Sequence, residues 1–325
     1  MSRMAPDVGA GQRLGTGTSC AVVSAVSFAL SGPVARGLMT AGWSSAAVVI
    51  VRVLVAAAAL APIAAIQLRG SWKLLRVNAF LLIGYGLVAI AGVQLAYFTA
   101  VAHLAVGQAL LIQYTSPIAV VGWLWLRHHQ RPAVPTVVGA FLGLAGLVLV
   151  IDLRSGGAAD RIGIAWALLA MACGVAYFLL SARGDGTLPG TVLAAGGLLV
   201  GGLGLLAAGG AGVLPLVATA NPVVYQDVTV PWWLPLTILG TVTAALAYVA
   251  GIAATRLLGS RAAAFTGLLE VVAALIFAWA LLGEAPHPIQ LLGGVLVLSG
   301  VLVVRRGEAA TAGAGADQSV SRCSA

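Results

Sequence analysis

Charge is scarce in this chain. Asp, Glu, Lys and Arg make up 8% of its 325 residues, against 61% hydrophobic residues, and the mean hydropathy is +1.05. Too few polar side chains are present to cover a water-soluble globule, so lipid is the implied solvent. Cysteine is also sparse. Cys20 and Cys173 fall inside apolar stretches and Cys323 in the tail, which excludes a disulfide framework or a cysteine metal site. His128 and His129 follow Arg127 in a short polar loop, the setting of a solvated cluster rather than a ligand set. No glycine-rich phosphate loop, no histidine pair at metal spacing within a helix and no elbow-type serine occurs. The expectations are no enzyme, no cofactor, no metal and no ATP-driven step on this chain. Strands of alternating polarity are absent too, which excludes a membrane barrel.

What the chain has instead is ten apolar stretches: Thr18 to Met39, Ala46 to Gln67, Val77 to Thr99, Leu104 to Leu126, Val134 to Ile151, Ile162 to Ser181, Leu188 to Gly210, Trp232 to Thr255, Ala262 to Gly283 and Ile289 to Val304. In hydrocarbon each backbone amide must be paired within its own segment, and about 20 apolar residues suffice for a helix across a ~30 Å core. The fold expected is therefore all-α, a polytopic membrane protein of ten transmembrane helices. The first stretch is too long for the apolar region of a secretory signal and is read as an uncleaved span. Only the Ala211 to Pro231 connection is long.

Basic residues set the orientation. With the amino terminus inside, Arg3, Arg13, Arg69, Lys73, Arg76, Arg127, Arg131, Arg183, Arg256, Arg261, Arg305, Arg306 and Arg322 are cytoplasmic, whereas Arg36, Arg154 and Arg161 are outside. That bias places both termini in the cytoplasm. It also accounts for the pI near 10.1 as topology and attraction to anionic headgroups, without nucleic acid as a partner. All eight tryptophans fall near segment ends, at the headgroup level their amphipathic rings prefer.

The second half echoes the first. Trp125, Pro132, Gly139, Leu142, Leu144, Gly146 and Val150 fall on Trp279, Pro286, Gly293, Leu296, Leu298, Gly300 and Val304 at an offset of 154 residues. Five spans per unit, an odd number, force the second unit to enter the membrane upside down, an architecture that favours alternating access about a central cavity. The expected organisation is a cytoplasmic segment 1–17, a first five-helix repeat 18–152, a second, inverted repeat 162–306 and a disordered cytoplasmic tail 307–325.

Gly42-Trp43-Ser44 leading to Arg52, Ala96-Tyr97, Ser116-Pro117, and Gly283-Glu284 followed by Gly293 to Gly300 together resemble the EamA-type transporters of the drug/metabolite transporter superfamily. The resemblance covers roughly Ala21 to Arg306. It implies a multi-pass carrier of the bacterial inner membrane, often an exporter of amino acids and related metabolites. Two positions depart from the family pattern: Gln130 replaces an acid after the fourth span, and Glu270-Val271 stands where Glu-Pro is usual.

Glu270, near the middle of the ninth span, is the most informative residue, because an ionised carboxylate there costs ~2.5 to 3.5 kcal/mol on insertion scales. Arg52 in the second span is its candidate charge partner, with a side chain long enough to reach toward the midplane. The pair is either a proton or substrate-amine site or a buried structural element. Gln94, Tyr97, Gln113, Ser116, Tyr177, Tyr248 and Thr266 fall on polar helix faces and are the candidate cavity-lining set with Glu270. For the hydroxyl residues, bonding to helix carbonyls or to neighbouring helices is the competing use. Pro33 and Pro117 remove backbone bonds and are hinge candidates.

The function expected is secondary transport that exports a small polar metabolite, such as an amino acid, across the inner membrane by alternating access; within transport, the alternative is an importer or a carrier of nucleosides or sugars. A partner subunit or sensor that does not transport is the reading from another class. The partners expected are a small-molecule substrate and the bilayer, with the proton a candidate coupling ion; sequence sets no oligomeric state.

Overall fold

The computed structural model describes residues 8–116, 118–119, 125, 134–151, 160–183, 188–258 and 260–303. Helices dominate them. In chain order they are α1 (Val8–Ala29), α2 (Ser31–Thr40), α3 (Ser45–Gln67), α4 (Lys73–Val77), α5 (Ala79–Gly84), a first π-helix (Tyr85–Gly92), α6 (Val93–His103), α7 (Val106–Gln113), α8 (Val134–Ile151), α9 (Arg161–Arg183) and α10 (Gly190–Gly210). A short hairpin follows, β1 (Val223–Tyr225) and β2 (Val228–Val230), then α11 (Trp233–Gly240), a second π-helix (Thr241–Leu246), α12 (Ala247–Leu258) and α13 (Ser260–Leu282). A last apolar helix, α14, covers Pro288–Val303. Five described helical stretches are long and apolar enough to cross a bilayer, namely Gly15–Thr40, Ser45–Gln67, Ala79–His103, Gly190–Gly210 and Trp233–Ala254.

Local chemistry explains the interruptions. Helix α1 gives way to α2 at Leu30, one turn before Pro33, which has no N–H for the Ala29 carbonyl and whose ring crowds that same turn. The carbonyls of α2 end at Ala41 and Gly42, where φ is +103°, and Ser44 restarts the chain as the cap of α3 by accepting from the Ala47 N–H at 3.3 Å. The two π-helices end at Gly92 and Leu246, which stand at the same repeat offset as Gly139 and Gly293. Each is followed at once by a regular helix, so the same deformation is built into the third and eighth apolar segments.

The chain folds as two compact units. One comprises residues 1–91 and 184–284, the other 92–183 and 285–325, so each draws helices from both halves of the sequence. In the first unit, α10 lies on α3: a Cβ at Gly202 would meet Leu54 and Val53 side chains within 3.0 Å, and the Thr191 hydroxyl at the start of α10 donates to the side-chain Oε1 of Gln67 at the end of α3. Contact of Leu54 with Gly202 and of Gln67 with Thr191 means the two helices run antiparallel. The first π-helix packs against α10 through backbone: a Cβ at Gly201 would stand 2.6 Å from the Gly86 carbonyl. Ser24 of α1 donates to the Ala247 carbonyl of α12 at 2.9 Å.

In the second unit α9 packs on α6 and α7. Asp160 caps α9, accepting from Ile162 N–H at 2.9 Å, and its other oxygen meets the His103 ring at 2.6 Å. Desolvation opposes its charge, but the bonds from Ile162, His103 and Gly163 prevail and hold the carboxyl below its ordinary 3.8. A carboxyl lowered on folding adds stability at pH above 3.8, and that stability is lost as pH falls through the lowered value. Asp160→Ala is expected to lower the unfolding temperature at pH 7 and to change it little near pH 2, as a fluorescence melt would report.

The same unit holds the clearest trace of the repeat. A Cβ at Gly146 of α8 would stand 2.6 Å from the Gly293 carbonyl of α14, and one at Gly300 would stand 2.5 Å from the Gly139 carbonyl. Gly139 and Gly146 are the repeat counterparts of Gly293 and Gly300, so each contact is the image of the other, as at a two-fold axis. Moving from 139 to 146 along α8 moves the contact from 300 back to 293 on α14. These two counterpart helices are therefore antiparallel, the relation an inverted repeat demands.

Candidate functional site

Charge at depth sits in the first unit. Arg52 lies two turns into α3, only 4% exposed, and its Nη2 donates to the Thr243 carbonyl at 3.0 Å. The acceptor belongs to the second π-helix, where i→i+5 spacing loosens the usual ladder and presents carbonyls to outside donors. Thr243 itself is fully buried and turns its hydroxyl back to the Leu239 carbonyl at 2.9 Å. A guanidinium on a main-chain carbonyl in lipid is a charge-assisted bond, about twice as strong as a neutral one. Just beyond, Tyr248 packs its ring edge-on to Phe28 of α1, centroids 5.2 Å apart and planes at 85°. Glu270 is half-buried on α13 in the same unit.

The second unit holds the amide and hydroxyl candidates. Gln94 and Tyr97 lie three residues apart on α6, each 8% exposed, with the Tyr97 ring 5.4 Å from that of Phe98. Gln113 ends α7, and its side-chain carbonyl oxygen is buried with no hydrogen bond among the described residues. Ser116 is buried against Gly174 of α9, where an added Cβ would lie 3.3 Å from its own. Nearby Thr115 donates to the Ile112 carbonyl at 2.7 Å. The structure thus places Arg52, Tyr248 and Glu270 in one unit and Gln94, Tyr97, Gln113 and Ser116 in the other. Pro117 and the side chains of Tyr177 and Thr266 lie outside the described residues.

Several hydroxyls serve helices rather than ligands. Thr241 donates to the Thr237 carbonyl at 2.6 Å and Ser24 joins α1 to α12, the ordinary uses of Ser and Thr in lipid. An apolar groove of about 210 Å³ runs beside Val51, Val55, Trp232, Trp233 and Leu236. Its lining is mostly apolar, and its Thr237 and Thr241 hydroxyls are already turned to helix carbonyls. No group of three metal-ligating side chains exists among the described residues.

The sequence reading missed the Thr243 carbonyl, because a main-chain acceptor carries no side-chain signal.

Comparison with known proteins is consistent with this build. No curated protein matches the chain. A solved structure, described only as the crystal structure of a protein, superposes with a TM-score of 0.57 at 19% identity, covering 89% of this chain and 98% of its own; at that identity the likeness is one of fold. The model of the EamA-like transporter family matches residues 15–152 and again 161–306, two copies spanning most of the sequence. The chain is a multi-pass membrane protein and belongs to the EamA-like transporter family, within the drug/metabolite transporter superfamily.

Proposed function

We propose that this protein is a secondary carrier that exports a small polar or zwitterionic metabolite, an amino acid being the favoured class, by alternating access across a bacterial inner membrane. The observation that carries the proposal is the antiparallel pairing of repeat counterparts, α8 with α14 and α3 with α10. Counterparts of opposite direction let one packing arrangement be exchanged for its mirror in depth, which opens a site to the other side without moving the substrate. Ten spans, cytoplasmic termini and a lining made by Gln94, Tyr97, Gln113, Ser116, Tyr177, Tyr248, Thr266 and Glu270 complete this reading.

In it Arg52 and Glu270 supply opposite charges at depth, suited to the carboxylate and ammonium of a zwitterion, and Glu270 is the group through which a proton could be coupled. Pro33 and Pro117 serve as hinges. A ligand that binds only the folded state raises its apparent stability, so the purified protein is screened by thermal shift. Amino acids are expected to raise the unfolding temperature in a concentration-dependent way. A shift with nucleosides or sugars and none with amino acids would move the assignment to the alternative carrier class.

A further inference from the structure

The one long connection, Ala211 to Pro231, forms an ordered strap over the loop end of the first unit, and its bonds fall into a root and a tip. At the root, Thr219 donates to the Ala41 carbonyl at 2.8 Å, the Trp43 indole N–H donates to the Thr219 carbonyl at 2.9 Å, and Ser44 exchanges bonds with Val217, giving its N–H at 3.0 Å and accepting at 3.1 Å. These contacts tie the strap to the turn between α2 and α3. At the tip, two bonds reach other helices. The Tyr225 hydroxyl donates to the Val34 carbonyl of α2 at 2.8 Å, and the Gln226 side-chain amide donates to the Trp279 carbonyl near the end of α13 at 2.8 Å.

The tip is seated and sprung. The Tyr225 ring occupies the space where a Cβ on Gly37 would stand, so the absence of a side chain at 37 makes the seat. Burial pushes the phenol above its ordinary range, which keeps it a proton donor at every physiological pH. Gln226 holds φ at +47°, a left-handed conformation unfavourable for a non-glycine residue and retained only while its surroundings enforce it. Below the seat, α2 is jointed from α1 at Leu30 by Pro33. The first span thus has a weakened point at Leu30–Pro33, although the backbone there stays helical, and the hairpin tip reaches from its outer part to α13.

We infer that the β1–β2 hairpin is a latch that holds α2 to α13 on the outer face, and that lifting Tyr225 off Val34 frees α2 to pivot at Leu30–Pro33. The inference rests on the carrier reading for its purpose, since an outer gate matters only if the protein opens outward, but its geometry is independent of substrate. The root stays bonded while the tip lifts, so the strap re-seats without searching.

The test uses the full chain with its cysteines replaced by serine and a reporter Val34→Cys, a site 5% exposed. Alkylation by a membrane-impermeant maleimide is timed with Tyr225 native, Tyr225→Phe and Tyr225→Ala. Loss of the hydroxyl bond should speed labelling about fivefold, near the ~1 kcal/mol of one buried hydrogen bond, and loss of the ring more than tenfold. Equal rates in all three, with monodisperse protein, overturn the latch. If the alanine variant does not fold, the phenylalanine comparison decides. Faster labelling without solute exchange would keep the latch and refute the carrier; equal labelling with solute exchange intact would do the reverse.

Discussion

Glu270→Gln is expected to reduce solute exchange at least tenfold per folded molecule while leaving the amount of protein in the membrane unchanged. The substitution keeps shape and removes only the capacity to carry charge. The carboxyl lies half-buried on α13, where maintaining an ionisable group costs energy that a structural role does not require. If Glu270 serves packing alone, the neutral amide is an equal or better occupant, and membrane abundance holds or rises with exchange intact. Reconstituted variants compared at equal protein therefore separate the two roles. A pH profile adds a second readout, since a proton-coupled wild type is pH-dependent and the Gln variant flat.

The largest effect on folding is expected at Gly300→Leu. Any side chain there meets the Gly139 carbonyl and the Gly143 N at 2.5 Å, and both are backbone, which cannot rotate away. Separating α8 from α14 also undoes the image contact at Gly146. Overpacking of this kind costs ~3 kcal/mol or more, and little folded, monodisperse protein should be recovered from detergent. Gly84→Ala is the control. Its Cβ would meet nothing within 4 Å, so it should be neutral or stabilising through helix propensity alone. Equal recovery of the two variants would show that the glycine contact does not hold these helices together.

Much of the helical layout was legible because lipid enforces it. Each apolar run had to be a helix, and Val134–Ile151 and Arg161–Arg183 fall where the runs at Val134 to Ile151 and Ile162 to Ser181 place them. The 154-residue echo was legible as matched glycines, but the crossing of Gly146 with Gly293 and of Gly300 with Gly139 is a matter of packing that spacing does not encode. Pro33 announced a break, and the helix breaks one turn before it, where proline's missing donor and ring act.

The π-helices were not legible. They arise from how one helix settles against another, Gly86 on Gly201 and Arg52 on Thr243, and composition does not encode that choice. The hairpin was hidden for a different reason: its loop, Gln226-Asp227, lacks the Asn-Gly or Asp-Gly signature that positive φ normally selects, so a left-handed glutamine held by tertiary bonds took its place. Candidate residues were nameable from sequence because polar side chains in lipid are few and stand out; that they line one site is our proposal. The arrangement of Arg52 on a main-chain carbonyl was not, since the acceptor is a backbone atom.

Counterflow tests the central claim, that the chain by itself moves a small solute across a bilayer. Purified protein is sealed into proteoliposomes loaded with unlabelled amino acids, nucleosides or sugars, and trace labelled solute of the same class is added outside. A carrier gives a transient accumulation of label above equilibrium, expected with the amino acids and lost with Glu270→Gln. Folded, correctly inserted protein that produces no such overshoot with any of the three classes would contradict the account.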